Sequence, residues 1–482
     1  AWVCLVPLLI AVSGRAPLQA FRCGIVAGFM YFGGVMPWLI NVMSEYGHIS
    51  NWLSFILMMV LVAYLALYIG LFAWSAAYYR LSANWVVLSP FFFVTLEYLR
   101  GHLLTGYPWA LLAHSQHLNP AVIQIASITG VYGVTFIIVL VTSAIAHYLL
   151  SRDDARLSSK LLAGALLIAV VNTTWGYWKA ESVQAAGGKT FKAAIIQGNI
   201  DQGIKWDSDF KEETLSKYFR LTRKAAKNRP DLIVWPETAF PFYFGRDMKP
   251  TLRLRALVKE TSVPLIFGGL GLLPDVTNNR YGVTNRAFLL KPDGTVKHYD
   301  KMHLVPFGEY VPLRRLLFFV DKITNAVMVD ISAGSSSVPL RVNGISVGIQ
   351  ICYEIIFAEP SRAFVRNGAS VIVNITNDAW FGNTAASAQH MMSLPFRAVE
   401  NRVPIIRAAN TGISGFVAAN GSIKNTTPLF ETVEISDEVT IPPIRETFYS
   451  RFGDLFAFFS IAVTVAALFL VIKRRKSDGD RP

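Results

Sequence analysis

The chain has 482 residues, of which 53% are hydrophobic and only 16% charged, with 45 basic against 32 acidic residues for a net charge of +13. Scarcity of charge argues against a nucleic-acid partner despite the basic balance. The 13% aromatic content excludes disorder, and three cysteines exclude a disulfide scaffold. The length exceeds one ordinary core, which leaves a membrane protein carrying a soluble domain.

Residues 1–180 hold only eight of the basic and four of the acidic residues, and none lies between Arg100 and Arg152. Apolar runs of about 20 residues or more span a bilayer. They read at 22–43, 52–79, 84–104, 119–150 and 160–178, with a last one at 453–472. The chain also opens inside an apolar stretch, Ala1 to Val12, without an initiator Met, so a truncated N-terminus is expected. The expected organisation is a multi-span domain over 1–180, a soluble domain over 189–440, a span over 453–472 and a tail over 473–482. The tail carries KRRK, Lys473 to Lys476. Arg152, Arg156, Lys160, Arg80, Arg15 and Arg22 occupy loops on the same side as that tail if the spans alternate. The positive-inside rule makes this side cytoplasmic, and the segment from Lys179 to Arg451 then faces outward.

Between 189 and 440, short β-rich runs alternate with polar helical stretches. The runs 191–199, 231–238, 263–270, 345–354, 369–376 and 404–421 read as buried strands, and 210–228 reads as a helix. Alternation of this kind indicates an α/β domain. HExxH, CxxC and GxxxxGK[ST] are missing, GGLG at 268–271 reads as a glycine turn, and Ser414 lacks a GxSxG frame. The eight histidines do not cluster with cysteine, so no metal site is expected.

Three residues can be assembled into chemistry. Cys352 ends the run ISVGIQI before YEIIF, and a strand-to-helix turn there suits a nucleophile beside backbone N–H donors. A buried core cysteine is the alternative. Glu237 ends DLIVWPE, where a carboxylate can serve as general base or simply as a cap or a solvated acid. Lys301, within HYDKMHLVPFGEYVP, can steady an oxyanion or be solvated.

Together the three resemble the Glu-Lys-Cys triad of the nitrilase (carbon–nitrogen hydrolase) superfamily. The closer resemblance is to the bacterial apolipoprotein N-acyltransferases. It rests on WPET, YDKMHLVPFGEYVP, ICYE, IIQGNIDQGIKW, NDAWFG (377–382), the R-x-x-N-T-G-I-S segment (407–414) and EYLRGHLLTGYPW (97–109). It covers essentially the whole chain and implies a polytopic α-helical membrane domain joined to a nitrilase-like α-β-β-α sandwich. The family usually has eight spans, and the first is the one expected to be missing here. By this resemblance Cys352 is the nucleophile, Glu237 the general base and Lys301 the oxyanion stabiliser. Glu309 matches a second functional glutamate, and Tyr353 and Glu354 match essential neighbours of the nucleophile. Trp206, Trp380 and Phe381 match positions near the substrate pocket, with core packing as the alternative.

The resemblance implies acyl transfer, without cofactor or metal, from a phospholipid to the α-amino group of a lipoprotein's lipidated N-terminal cysteine. Phosphatidylethanolamine is the expected donor, the enzyme is expected to act as a monomer, and its place is the bacterial inner membrane with a periplasmic catalytic domain. PFYFG (241–245) and LLFFV (316–320) are expected to dip into lipid or cover the site, or else to pack in the core. A membrane-tethered amidase acting on a small soluble amide would carry the same triad. A transporter or ligand-binding scaffold is the reading from another class, with Glu97 and Arg100 the chief ionisable residues inside a span.

Overall fold

The computed structural model describes residues 1–151, 154–203, 208–275, 280–311, 331–443 and 446–479. Trp206 and the LLFFV segment lie outside the described residues. Two compact units result. One comprises Ala1–Pro37, Phe55–Ala180 and residues from Arg451 onward; the other comprises Trp38–Ser54 and Glu181–Ser450.

The first unit is helical. Among the described residues, four helices are long and apolar enough to cross a membrane: Pro17–Val35, Asn51–Tyr78, Val131–Leu150 and Ala155–Ala185. Ala83–His102 matches them in length but carries Glu97 and Arg100, and Leu455–Gly479 is apolar through Leu470. The run at 119–150 is not one helix. Gly130, at φ +65°, separates Val131–Leu150 from the short helices Pro120–Ile123 and Ala126–Thr129. The run at 22–43 likewise ends as a long helix at Val35, and Trp38–Asn41 and a π turn at Val42–Tyr46 follow Pro37.

Inside this unit Glu97 and Arg100 fasten the 103–112 connection. The Leu112 N–H donates to Glu97 Oε1 at 2.7 Å and the Thr135 hydroxyl to Oε2 at 2.7 Å. Arg100 Nη1 donates to the Trp109 carbonyl at 2.9 Å, and its guanidinium lies 5.4 Å from the Phe32 ring centroid. Both charges are buried, as expected only where each finds a partner.

The second unit is an α-β-β-α sandwich with twelve strands among the described residues. They are β1 (Lys189–Gln197), β2 (Leu232–Val234), β3 (Leu265–Asp275), β4 (Arg280–Leu290), β5 (Val296–Asp300), β6 (Leu340–Val342), β7 (Ile345–Ile351), β8 (Val371–Thr376), β9 (Ile405–Ala409), β10 (Gly415–Val417), β11 (Ile423–Lys424) and β12 (Val433–Ile441). One sheet runs β12-β1-β2-β3-β4-β5 and the other β11-β10-β9-β8-β7-β6. The centres, β1-β2-β3 and β7-β8-β9, are parallel and the flanks antiparallel. Parallel neighbours need crossovers, supplied here by Ser208–Ala226, Met248–Thr261, Ala358–Arg366 and Leu394–Asn401. Strands covered on both faces read as mainly apolar runs, and β8, VIVNIT, is buried at all six positions.

Leu215, Tyr218, Phe219, Leu254, Leu257 and Val258 from two of those helices pack on Trp235, Phe240, Phe267 and Phe288. Full burial of such side chains stabilises by about 1.5–3 kcal/mol each. Phe242 and Phe244, both partly buried, pack against this cluster, which favours the core-packing alternative for PFYFG.

GGLG is not a turn. It lies within β3, where a Cβ on Gly268 would stand 2.4 Å from the Thr238 nitrogen and 2.6 Å from the Glu237 Cα. Gly268 therefore lets the end of the Glu237 segment lie against the sheet, through Gly268 N–H to Pro236 C=O (3.1 Å) and Phe240 N–H to Gly268 C=O (3.0 Å). The run 404–421 divides into β9 and β10, and in the turn between them Gly412 leaves room for the Asp378 carboxylate, which a Cβ there would strike.

Candidate active site

Five strand-linked segments carry the polar residues of interest. Glu237 follows β2, Asn285 lies in β4, Lys301 follows β5, Cys352 follows β7 and Asn377 follows β8. Functional side chains gather at such carboxyl ends because the chain leaves the sheet there.

Cys352 opens a short 3₁₀ turn, Cys352–Ile356, at φ +53°. This left-handed conformation is uncommon for a residue with a Cβ and persists where surroundings hold it. Withdrawal of the sulfur from water pushes the thiol above its ordinary value, Glu237 adds to the rise, and Lys301 opposes it.

Lys301 is 1% exposed. Its Nζ lies 2.8 Å from Glu309 Oε2, donates to Glu309 Oε1 at 2.9 Å, and stands 4.0 Å from Glu237 Oε1. Burial works against its charge, but Glu309, a Cys352 thiolate and Glu237 outweigh it and hold the ammonium above its usual range. Asn285 Nδ2 bridges the two carboxylates, at 2.7 Å from Glu237 Oε1 and 3.0 Å from Glu309 Oε1. The Asn377 N–H donates to Glu237 Oε2 at 2.8 Å, and the Val305 N–H to Glu309 Oε2 at 2.8 Å. The cluster thus holds one cation, two carboxylates and a thiol whose charges act on one another.

Glu354 is fully buried and ties two segments together. Its Oε2 accepts the Ile351 N–H at 2.7 Å. Its Oε1 accepts the Tyr299 hydroxyl (2.8 Å) and the N–H groups of Met302 (2.8 Å) and His303 (2.9 Å). The turn carrying Cys352 is thereby fixed to the segment carrying Lys301. The Tyr353 ring meets Phe357 edge-on, and His303 lies against Phe357 in a tilted arrangement with centroids 3.8 Å apart. Burial, helped by Lys301, lowers His303 to about 4, so this imidazole is neutral in ordinary buffers.

Trp380 and Phe381 sit in the turn after β8. Trp380 is 37% exposed and meets Tyr46 edge-on at 4.9 Å, and Phe381 meets Trp38 at 5.0 Å. Tyr46 also donates to the Ala379 carbonyl at 3.1 Å. The exposure of Trp380 is not that of a core residue.

Sequence reasoning did not single out Asn285, Asn377, Asp378, His390 or Arg407. Asn377, Asp378 and Arg407 stood inside motifs already noted; Asn285 and His390 carried no such signal. Arg407 and Asp378 form a fully buried pair at 2.8 Å, and His390 lies against both. Burial would raise the Asp378 carboxyl, but Arg407 and His390 hold it well below the carboxylate range.

Among the described residues no group of three or more His, Cys, Asp or Glu is arranged to hold a metal ion.

Residues 1–145 match the family described as the apolipoprotein N-acyltransferase N-terminal domain, and residues 192–446 match the carbon–nitrogen hydrolases. The apolipoprotein N-acyltransferase of Geobacter metallireducens is 41% identical over 481 residues, covering 98% of this chain and 91% of that protein. Its counterpart from Pasteurella multocida is 31% identical, over 94% of this chain and 87% of that one. The crystal structure of Saccharomyces cerevisiae Nit3, a nitrilase-superfamily protein, is similar at 19% identity with a TM-score of 0.42, covering 56% of this chain and 96% of that one.

Proposed function

This chain belongs to the apolipoprotein N-acyltransferases, and from that premise we propose that it transfers an acyl chain from phosphatidylethanolamine to the α-amino group of a diacylglyceryl-cysteine at a lipoprotein's N-terminus. The observation that carries the chemistry is the convergence of the Cys352 thiol, the Glu237 carboxylate and the Lys301 ammonium from three strand ends.

Glu237 takes the thiol proton, and the sulfur of Cys352 attacks the ester carbonyl of the phospholipid. Negative charge develops on the carbonyl oxygen, where Lys301 Nζ and the Tyr353 N–H stabilise it. The tetrahedral intermediate collapses to a thioester as the lysophospholipid alkoxide leaves with the proton held by Glu237. The lipoprotein amine then attacks the thioester, Glu237 takes its proton, and the thiol is regenerated. Glu309, bonded to Lys301, keeps that ammonium charged and in place. Asn285 and the Asn377 N–H aim Glu237, and Glu354 sets the distance between the nucleophile and the lysine. Trp380, Phe381 and Trp206 are assigned to contacts with the acyl chains. The enzyme is proposed to act as a monomer, a reading supported by one chain supplying every group named.

Both substrates are bilayer-anchored, which gives the apolar helices their purpose; the alternative amidase would need a single tether. The catalytic unit is assigned to the periplasmic face of the inner membrane and the C-terminus to the cytoplasm. The basic residues Arg80, Arg156 and Lys473 support that orientation. Residues 38–54, the connection after the first long helix, share a compact unit with the catalytic residues, as the orientation requires. The proposed domains are 1–180, 189–440, 453–472 and 473–482.

The test is reconstitution in vesicles containing acyl-labelled phosphatidylethanolamine and a synthetic diacylglyceryl-cysteine peptide. One labelled acyl chain on the peptide amine is expected. An unmodified peptide, with ammonia released from small amides, would overturn the reading.

A further inference from the structure

Beneath the nucleophile lies a buried charged group that the reaction steps above do not use. His390, fully buried on the helix Ala386–Met391, places Nε2 3.2 Å from the carbonyl oxygen of Cys352. Its Nδ1 is 3.0 Å from Arg407 Nη2 and 3.1 Å from Asp378 Oδ1. Arg407 also donates to Asn374 Oδ1 at 2.5 Å and to the Ile413 carbonyl at 3.1 Å. Asp378 Oδ1 accepts the Thr376 hydroxyl at 2.9 Å.

The Cys352 carbonyl only accepts, so Nε2 facing it carries a hydrogen, whereas Nδ1 stands between a donor, Arg407, and an acceptor, the Asp378 carboxylate. The opposite tautomer would set two lone pairs against each other at that carbonyl. Burial and the Arg407 charge lower His390, in keeping with a neutral ring.

We propose that His390 is a positioning residue for the acylation step, holding the Cys352 carbonyl so that the peptide it belongs to presents the Tyr353 N–H to the oxyanion. In a trans peptide the C=O and the following N–H point in opposite directions, so a bond to one sets the direction of the other. Among the described residues every peptide bond is trans. The φ of +53° at Cys352 is a conformation that needs such an outside hold. Asp378 and Arg407 keep the ring turned toward that carbonyl, and Asn374 Nδ2 gives the same oxygen a second, longer contact at 3.4 Å. The inference rests on the oxyanion role given above to the Tyr353 N–H.

The test compares two reactions of Cys352 in the purified full-length chain. Acylation by p-nitrophenyl butyrate joins sulfur to the acyl carbon, expels p-nitrophenolate and passes through an oxyanion. Alkylation by iodoacetamide, followed at Cys352 by peptide mass spectrometry, expels iodide and has no oxyanion. Loss of one oxyanion donor slows enzymes by about 10²–10³-fold. His390→Ala is expected to slow the acylation burst by roughly 30-fold or more and to leave Cys352 alkylation within about threefold. His390→Gln, whose amide can donate to the same carbonyl, is expected to recover most of the burst. Unchanged acylation in His390→Ala, or an equal fall in both reactions, would overturn the proposal. The ester probe needs no phospholipid, so a failure of the lipid-donor reading appears separately, as wild-type protein that reacts with the ester but not with phosphatidylethanolamine.

Discussion

Each unit of this molecule buries a glutamate beside a basic side chain, and the two arrangements differ in what the carboxylate holds. In the helical unit, Glu97 gives one oxygen to a backbone N–H and the other to a threonine hydroxyl, and Arg100 gives a donor to a backbone carbonyl. Those charges fasten a connection. In the sandwich unit, Lys301 stands between two carboxylates and near a thiol, and Asn285 and backbone N–H groups aim those carboxylates. A buried ion pair is weak evidence for stability and weak evidence for catalysis. What separates the two cases is a reactive atom within range of the charge, here Cys352 on a turn held in a left-handed conformation.

The largest effect is expected at Cys352, the proposed nucleophile. Cys352→Ser is expected to lower N-acylation of a diacylated peptide by at least about 10⁴-fold while leaving the thermal midpoint near the wild-type value. A residual rate within 100-fold of wild type would remove Cys352 from the chemistry. Next in size is Gly268→Ala, which sets a methyl against the backbone of Glu237 and Thr238. Misplacement of a catalytic group by about 1 Å costs on the order of 10²-fold, so kcat should fall by roughly that factor, and a fully active variant would refute the packing argument.

A change in the helical unit should do the reverse. Glu97→Gln keeps the shape but removes the charge that faces Arg100. It is expected to lower the thermal midpoint in detergent and to keep kcat per folded molecule within about twofold, since removing one partner of a buried pair acts on stability. A large loss of kcat at unchanged midpoint would give Glu97 a part in the reaction.

The smallest effect is on pH dependence. The thiol of Cys352 is raised above its ordinary 9.0, so its neutral form persists to higher pH than that of a free cysteine. Alkylation of Cys352 in the free enzyme should therefore keep climbing past pH 9, and a plateau reached below that pH would contradict the burial argument.

The class of the second unit was legible in the sequence because its central strands, such as VIVNIT, are buried on both faces and read as mainly apolar runs. The flanking strands β5, β6, β11 and β12 were not, because half-exposed strands such as VEISDEVTI mix charge with apolar residues, and β4, though buried over 284–290, places Thr284, Asn285 and Arg286 before its apolar stretch. GGLG misled for a physical reason: glycine marks turns, yet Gly268 is there for a close approach inside a strand. The span at 119–150 misled because composition does not register the break at Gly130. Cys352, Glu237 and Lys301 stood out because each occupies a strand end inside a long motif. His390 did not, since its partners lie 12 and 17 residues away in sequence, at Asp378 and Arg407, and meet it only through the fold.

The central claim is that Cys352 carries the acyl chain between two lipid substrates. The most direct measurement is mass spectrometry of the intact chain after incubation with phosphatidylethanolamine and no acceptor. The account predicts a mass increase of one acyl chain on Cys352, absent in Cys352→Ser and discharged when a diacylglyceryl-cysteine peptide is added. An unmodified Cys352 in protein that still N-acylates the peptide would contradict it.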